Sequence, residues 1–121
     1  MSSILYFVVE MPATPSLREF EQVVLLAILR LGETAYGVTI ASEILACTGR
    51  DPAPGALYTT LDRLEDKGLL TSRLGDPTPQ RGGRAKRYFA LNAQGLAAIT
   101  RAQQSYRRLL AGCEIPGLTY A

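Results

Sequence analysis

A chain of 121 residues with 47% hydrophobic and 20% charged side chains has the size and composition of one globular domain, which excludes a disordered polymer. It has no histidine and two cysteines, Cys47 and Cys113, which excludes a disulfide scaffold and any histidine-based metal site; the cysteines read as reduced core or interface residues of a cytoplasmic protein. The net charge of +2 is unevenly spread: residues 73–108 carry eight basic side chains against the single acid Asp76, whereas residues 1–72 hold five basic and nine acidic ones, a distribution that points to a polyanionic partner.

Residues 4–9 (ILYFVV) form an apolar run too short to cross a bilayer. They lack the basic start and small-residue cleavage site of a secretion signal. With Pro12 and Pro15 behind them, residues 1–15 read as a peripheral arm, disordered or strand-like, and Met11 offers an alternative start. Ser16-Leu17-Arg18-Glu19 spells S-x-x-E, a capping box ahead of an apolar helix. Leu17, Phe20, Val24, Ile28 and Leu31 form its main stripe. Val23, Leu25, Leu26 and Leu29 widen the stripe almost all round, so this helix is expected in the core or against a second chain. Glu19 and Glu21 read as solvated surface, and Gly32 stops the helix.

A second helix is expected over 35–47, capped by Thr34 and ended near Gly49, with Tyr36 in its first turn and Ile40, Ile44, Leu45 and Cys47 facing the core. GRDPA (49–53) is a turn by composition. The third helix starts at Pro54, a residue suited to a first turn, and ends at Gly68. Leu57, Leu61 and Leu64 share one face, while Gly55, Thr59, Asp62, Arg63 and Asp66 occupy the other, with Tyr58 on its flank. From Leu70 the period changes to two. DPTPQRGGRA then makes a loop, and residues 86–91 (KRYFAL) resume an extended pattern, giving a β-hairpin. Gly82 and Gly83 let the backbone approach another backbone closely. Arg81, Arg84, Lys86 and Arg87 beside them suit a phosphate or minor-groove contact. Asn92 caps a last helix over about 93–113, with a stripe of Leu96, Ile99, Tyr106, Leu110 and Cys113 and Gln103 as its polar break. Such a helix spans roughly 30 Å. That is long for so small a domain, so a partner chain is expected along it.

Three helices, a basic hairpin and a long helix make a winged helix-turn-helix: mainly α with a small β-hairpin, an α+β fold. Residues 16–92 are expected to form the DNA-binding unit and 93–121 the dimerisation helix and tail. FEQVVLLAILRLGETAYGVTI (20–40), GALYTTLDRLEDKGLLTSR (55–73) and RGGRAKRYFALNAQG (81–95) resemble the PadR-like transcriptional regulators. The resemblance implies a homodimeric protein on double-stranded DNA, usually a repressor, paired through the last helix. It places Tyr58 and Thr59 in the recognition helix and Arg81, Gly82, Gly83, Arg84, Lys86 and Arg87 in the wing. Some members take a planar hydrophobic effector stacked on tryptophan at the dimer interface; this chain has no tryptophan, so such a pocket would rely on Tyr106 or Leu110.

The residues expected on DNA are thus Gly55, Tyr58, Thr59, Asp62, Arg63 and Lys67 from the helix and Arg73, Arg81, Gly82, Gly83, Arg84, Lys86 and Arg87 from the wing. Those expected between protomers are Leu96, Ile99, Gln103, Tyr106, Leu110 and Cys113. The competing reading is a winged helix used as a protein-interaction module. Catalysis is not expected: there is no histidine, and no Gly-rich strand-to-helix turn marks a nucleotide site. No metal, cofactor or membrane contact is implied.

Overall fold

The computed structural model describes residues 16–76 and 85–117; the arm at 1–15 and the loop at 77–84 lie outside the described residues. In chain order come α1 (Glu19–Leu31), a single 3-10 turn (Gly32–Thr34), α2 (Gly37–Thr48), α3 (Pro54–Asp66), β1 (Leu70–Leu74), β2 (Arg87–Leu91) and α4 (Ala93–Leu110). The order is the expected winged helix-turn-helix. Leu57, Leu61 and Leu64 of α3 are at most 2% exposed and pack with Val24, Leu25 and Ile28 of α1, Ile40 and Ile44 of α2, Phe89 of β2 and Ile99 of α4 in one core.

Pro54 is the first residue of α3, where its missing N–H costs nothing. The other end is a Schellman cap. Gly68 takes a positive φ of 78°, its N–H reaches the Glu65 carbonyl at 2.9 Å, and the Leu69 N–H reaches the Leu64 carbonyl at 3.0 Å. That turn delivers Leu69 and Leu70 into the core and starts the hairpin, with Leu70 opposite Leu91 and Leu74 opposite Arg87. Asn92 closes the return. Its Oδ1 accepts from the Gly95 N–H at 2.8 Å, capping α4 as expected, and its Nδ2 donates to the Gly68 carbonyl at 2.7 Å.

Several local expectations are corrected. α1 begins at Glu19 with Arg18 as its cap, not Ser16, because Glu21 reaches back to accept from the Arg18 N–H at 2.8 Å. α2 is capped at Tyr36, not Thr34. The Thr39 hydroxyl accepts from the Tyr36 N–H at 2.9 Å, while Thr34 turns its own hydroxyl to the Leu31 carbonyl. Ala35 and Tyr36 are therefore not helical but extended. The Phe89 N–H donates to the Ala35 carbonyl at 2.9 Å, and Tyr36 bridges to Tyr88, so this short segment lies against β2 on the side away from β1. Leu45 and Cys47 were expected in the core and are exposed, as is Cys113; both cysteines are free. α4 stops at Leu110, short of Cys113.

Gly95, in the first turn of α4, sits where the helix crosses Leu69. A Cβ there would lie 2.1 Å from the Leu69 carbonyl oxygen, a backbone atom that cannot swing aside. In an open helix Gly→Ala gains up to about 1 kcal/mol. Here the overlap reverses the sign: Gly95→Ala is expected to cost about 2 kcal/mol by chemical denaturation. An unchanged or raised stability would contradict this packing.

Candidate nucleic-acid interface

Burying Leu57, Leu61 and Leu64 forces the opposite face of α3 outward. Gly55, Tyr58, Thr59 and Asp62 are exposed and Arg63 is half-buried. A Cβ at Gly55 would meet nothing within 4 Å, so nothing in the chain's own packing demands glycine there. Tyr58 is 45% exposed, and its ring lies over the N-terminus of α2: a Cβ at Gly37 would stand 2.1 Å from the Tyr58 hydroxyl. Gly37 therefore makes the room that lets Tyr58 bridge the two helices.

The hairpin and the extended Tyr36 segment carry an alternation of cations and rings. The Arg73 guanidinium lies 4.8 Å from the Tyr88 ring centre, Tyr88 meets Tyr36 edge-on at 5.4 Å, and the Lys86 ammonium sits 4.6 Å from the Tyr36 ring. Each cation–π contact at such an exposed site contributes about 0.5–1 kcal/mol. Their greater effect is to hold Arg73 and Lys86 in place while leaving both charges outside any ion pair among the described residues. Arg81, Gly82, Gly83 and Arg84 lie outside the described residues.

Three of the expected DNA contacts, Asp62, Lys67 and Arg87, are held in ion pairs within the chain. Lys67 donates to both oxygens of Glu21, at 3.0 and 2.9 Å. Arg87 pairs with Asp62 at 3.2 Å and with Glu65, and its Nε donates to the Ser72 hydroxyl. Glu21 is the correction with the widest consequence. It is 1% exposed, not solvated surface. Burial alone would raise its pKa, but the Lys67 hydrogen bonds, the Arg18 N–H and the Lys67 and Arg63 charges outweigh that and hold it below the ordinary 4.5. The signal was present in the sequence. Val24, Leu25 and Ile28 follow Glu21 at i+3, i+4 and i+7, which puts the carboxylate on the core stripe.

The residues expected between protomers divide. Ile99 is 2% exposed and belongs to this chain's own core, and Gln103 donates to the Gln22 side chain at 3.4 Å. Leu96 and Tyr106 are about half exposed, and Leu110 is half-buried. Leu109, which the sequence reading did not select, is 74% exposed. Leu26 and Leu29 of α1 stand out beside Leu96, at 38% and 44% exposure. A groove of about 420 Å³ runs between Leu17 and the Ala102, Tyr106 and Leu109 side of α4.

The model of the PadR-like family of transcriptional regulators matches residues 25–101, from the middle of α1 to the middle of α4. The chain belongs to this family. Solved structures give the same fold. A PadR family regulator from Clostridium difficile is 22% identical, with 77% of this chain and 93% of that one covered at a TM-score of 0.64. One from Eggerthella lenta is 25% identical over 92% and 89%, at 0.60. The winged-helix DNA-binding protein F93 from STIV is 21% identical over 79% and 96%, at 0.61. No curated protein sequence matches the chain. PadR-like proteins are regulators, so the chain is not an enzyme. No described helix is long and apolar enough to cross a membrane.

In this PadR-like chain the Glu21–Lys67 pair has a definite pH signature. Because the folded-state pKa of Glu21 is depressed, the pair stabilises above the ordinary value of 4.5 and loses that contribution as pH falls through the lowered folded value. Lys67→Met strands a buried carboxylate and is expected to cost about 3 kcal/mol at pH 7. Acidification protonates that carboxylate, so the cost should shrink in urea unfolding at pH 4.5. An equal cost at both pH values would contradict the pairing.

Proposed function

We propose that the protein is a sequence-specific repressor that binds double-stranded DNA as a homodimer on a near-palindromic site. The observation that supports this best is the face of α3 opposite Leu57, Leu61 and Leu64, where Gly55, Tyr58, Thr59 and Asp62 stand exposed, in a chain whose wing also carries the Arg73 and Lys86 charges on aromatic supports. α3 has 13 residues, about 20 Å of helix. Its diameter suits a major groove about 12 Å wide. Thr59 then meets base edges through its hydroxyl or methyl, Arg63 reaches guanine, and Tyr58 reaches a phosphate. Arg73 and Lys86 hold the backbone beside it and carry salt dependence. The repressor assignment rests on the family resemblance.

Pairing through α4, with α1 assisting, follows from the apolar side chains left outside the core: Leu96, Tyr106 and Leu109 on α4 and Leu26 and Leu29 on α1. Two recognition helices about 34 Å apart would enter successive turns of one duplex face. For a planar hydrophobic effector, Tyr106 offers an aromatic side chain in the groove beside Leu17.

The test is titration of a fluorescent duplex, selected by the protein from a random 20-bp library, against a scrambled duplex at 50 and 200 mM salt. Tight, steeply salt-dependent binding with preference for the selected sequence is expected. Binding to neither at low salt would contradict the proposal and leave a winged helix used for protein contacts. Arg73→Ala with Lys86→Ala should weaken both duplexes alike and lower the salt slope by about 1.8. A loss confined to the selected duplex would mean that these residues read sequence. Leu96→Asp should yield monomers in sedimentation equilibrium and weaken DNA binding; a persistent dimer would remove α4 from the interface.

A further inference from the structure

We propose that Arg87 is a positioning residue that fixes the wing against the recognition helix, and does not clamp phosphate. The proposal rests on the DNA-binding reading above. Alternation along β2 turns Arg87 to the same side as the buried Phe89, and its guanidinium lies 4.8 Å from that ring. There the group meets three acceptors in three directions. Nε donates to the Ser72 hydroxyl on β1 at 3.2 Å, Nη1 donates to Asp62 on α3 at 3.2 Å, and Nη2 donates to Glu65 one turn further along. The Ser72 hydroxyl in turn donates to the second Glu65 oxygen at 2.8 Å. Three elements therefore meet at one planar fork, which a point charge cannot reproduce.

Charge decides against the clamp. One guanidinium stands between two carboxylates, so a phosphate approaching Arg87 meets a locally negative cluster. Arg73 and Lys86 rest on rings, with no carboxylate paired to either among the described residues. Asp62 takes a new role as well. The side chain that could accept from a cytosine is held by Arg87, on the front of α3 beside Thr59. The network thus sets which way the front of α3 points relative to the wing, and through that angle it governs sequence preference more than raw affinity.

The experiment uses the selected and scrambled duplexes defined above. Arg87→Lys, Arg87→Met, Glu65→Gln and the Arg87→Met/Glu65→Gln double variant are read for sequence preference and salt slope, with Arg73→Ala as the clamp control. Arg87→Met and Glu65→Gln should each cost about tenfold in preference, and the double variant should cost no more than either, as members of one network do. The slope should stay at the wild-type value, whereas Arg73→Ala lowers it by about 0.9. Arg87→Lys keeps the charge and loses the fork, so it should behave like Arg87→Met; it also keeps the test open if Arg87→Met fails to fold. Rescue by lysine, a slope lowered by about 0.9 in Arg87→Met, or an undiminished preference in Arg87→Lys and Glu65→Gln would each overturn the proposal. Wild-type protein binding neither duplex is a different failure, that of the DNA reading itself.

Discussion

A buried carboxylate facing a lysine decides how this small domain is assembled. Glu21 enters the core from the first turn of α1, and Lys67 comes down on it from the C-terminal end of α3. A lone carboxylate in that position would be costly to keep ionised, so the pair obliges the end of α3 to stay over the start of α1. The neighbouring contacts converge on the same place. Gly68 forms the Schellman cap, Asn92 donates to the Gly68 carbonyl, and Gly95 presses against the Leu69 carbonyl. The end of α3, the root of the hairpin and the start of α4 are thereby fixed within a few residues of one another.

Fixing one end of α3 leaves the other open to solvent. The N-terminal half of α3 carries its small and polar residues, Gly55 and Thr59, outward, with Tyr58 propped on Gly37. The wing is held by different means, through the Arg73–Tyr88–Tyr36–Lys86 alternation on one side and the Arg87 fork on the other. The described basic residues of this hairpin therefore fall into two kinds. Arg73 and Lys86 present charge outward on aromatic supports, whereas Arg87 spends its charge on the carboxylates of α3. Net charge alone does not distinguish these roles; the partners do.

Features governed by local spacing were legible in the sequence. Leu57, Leu61 and Leu64, Pro54 and Gly68 delimited α3, and Asn92 announced α4. The unread features depend on partners far along the chain. Glu21 was taken for surface because its partner stands 46 residues away, although its place among Val24, Leu25 and Ile28 marked it as inward. The S-x-x-E pattern at 16–19 lost to the Arg18–Glu21 contact, a cap of the same local span whose carboxylate is the one that Lys67 also holds. Ala35 and Tyr36 were read into α2, because pairing with β2 is set by the hairpin and not by local propensity. On α4, a single stripe was drawn where the helix has two jobs: Ile99 faces its own core while Leu96, Tyr106 and Leu109 remain outside it.

On the proposed DNA reading, the exposed front of α3 enters the major groove in two copies. Methylation interference on the selected duplex tests it most directly, because guanine N7 lies in that groove. The expected result is two patches of guanines, about 10 bp apart, whose methylation abolishes binding. Binding that is indifferent to guanine N7 methylation throughout the site would contradict the claim and remove α3 from the DNA.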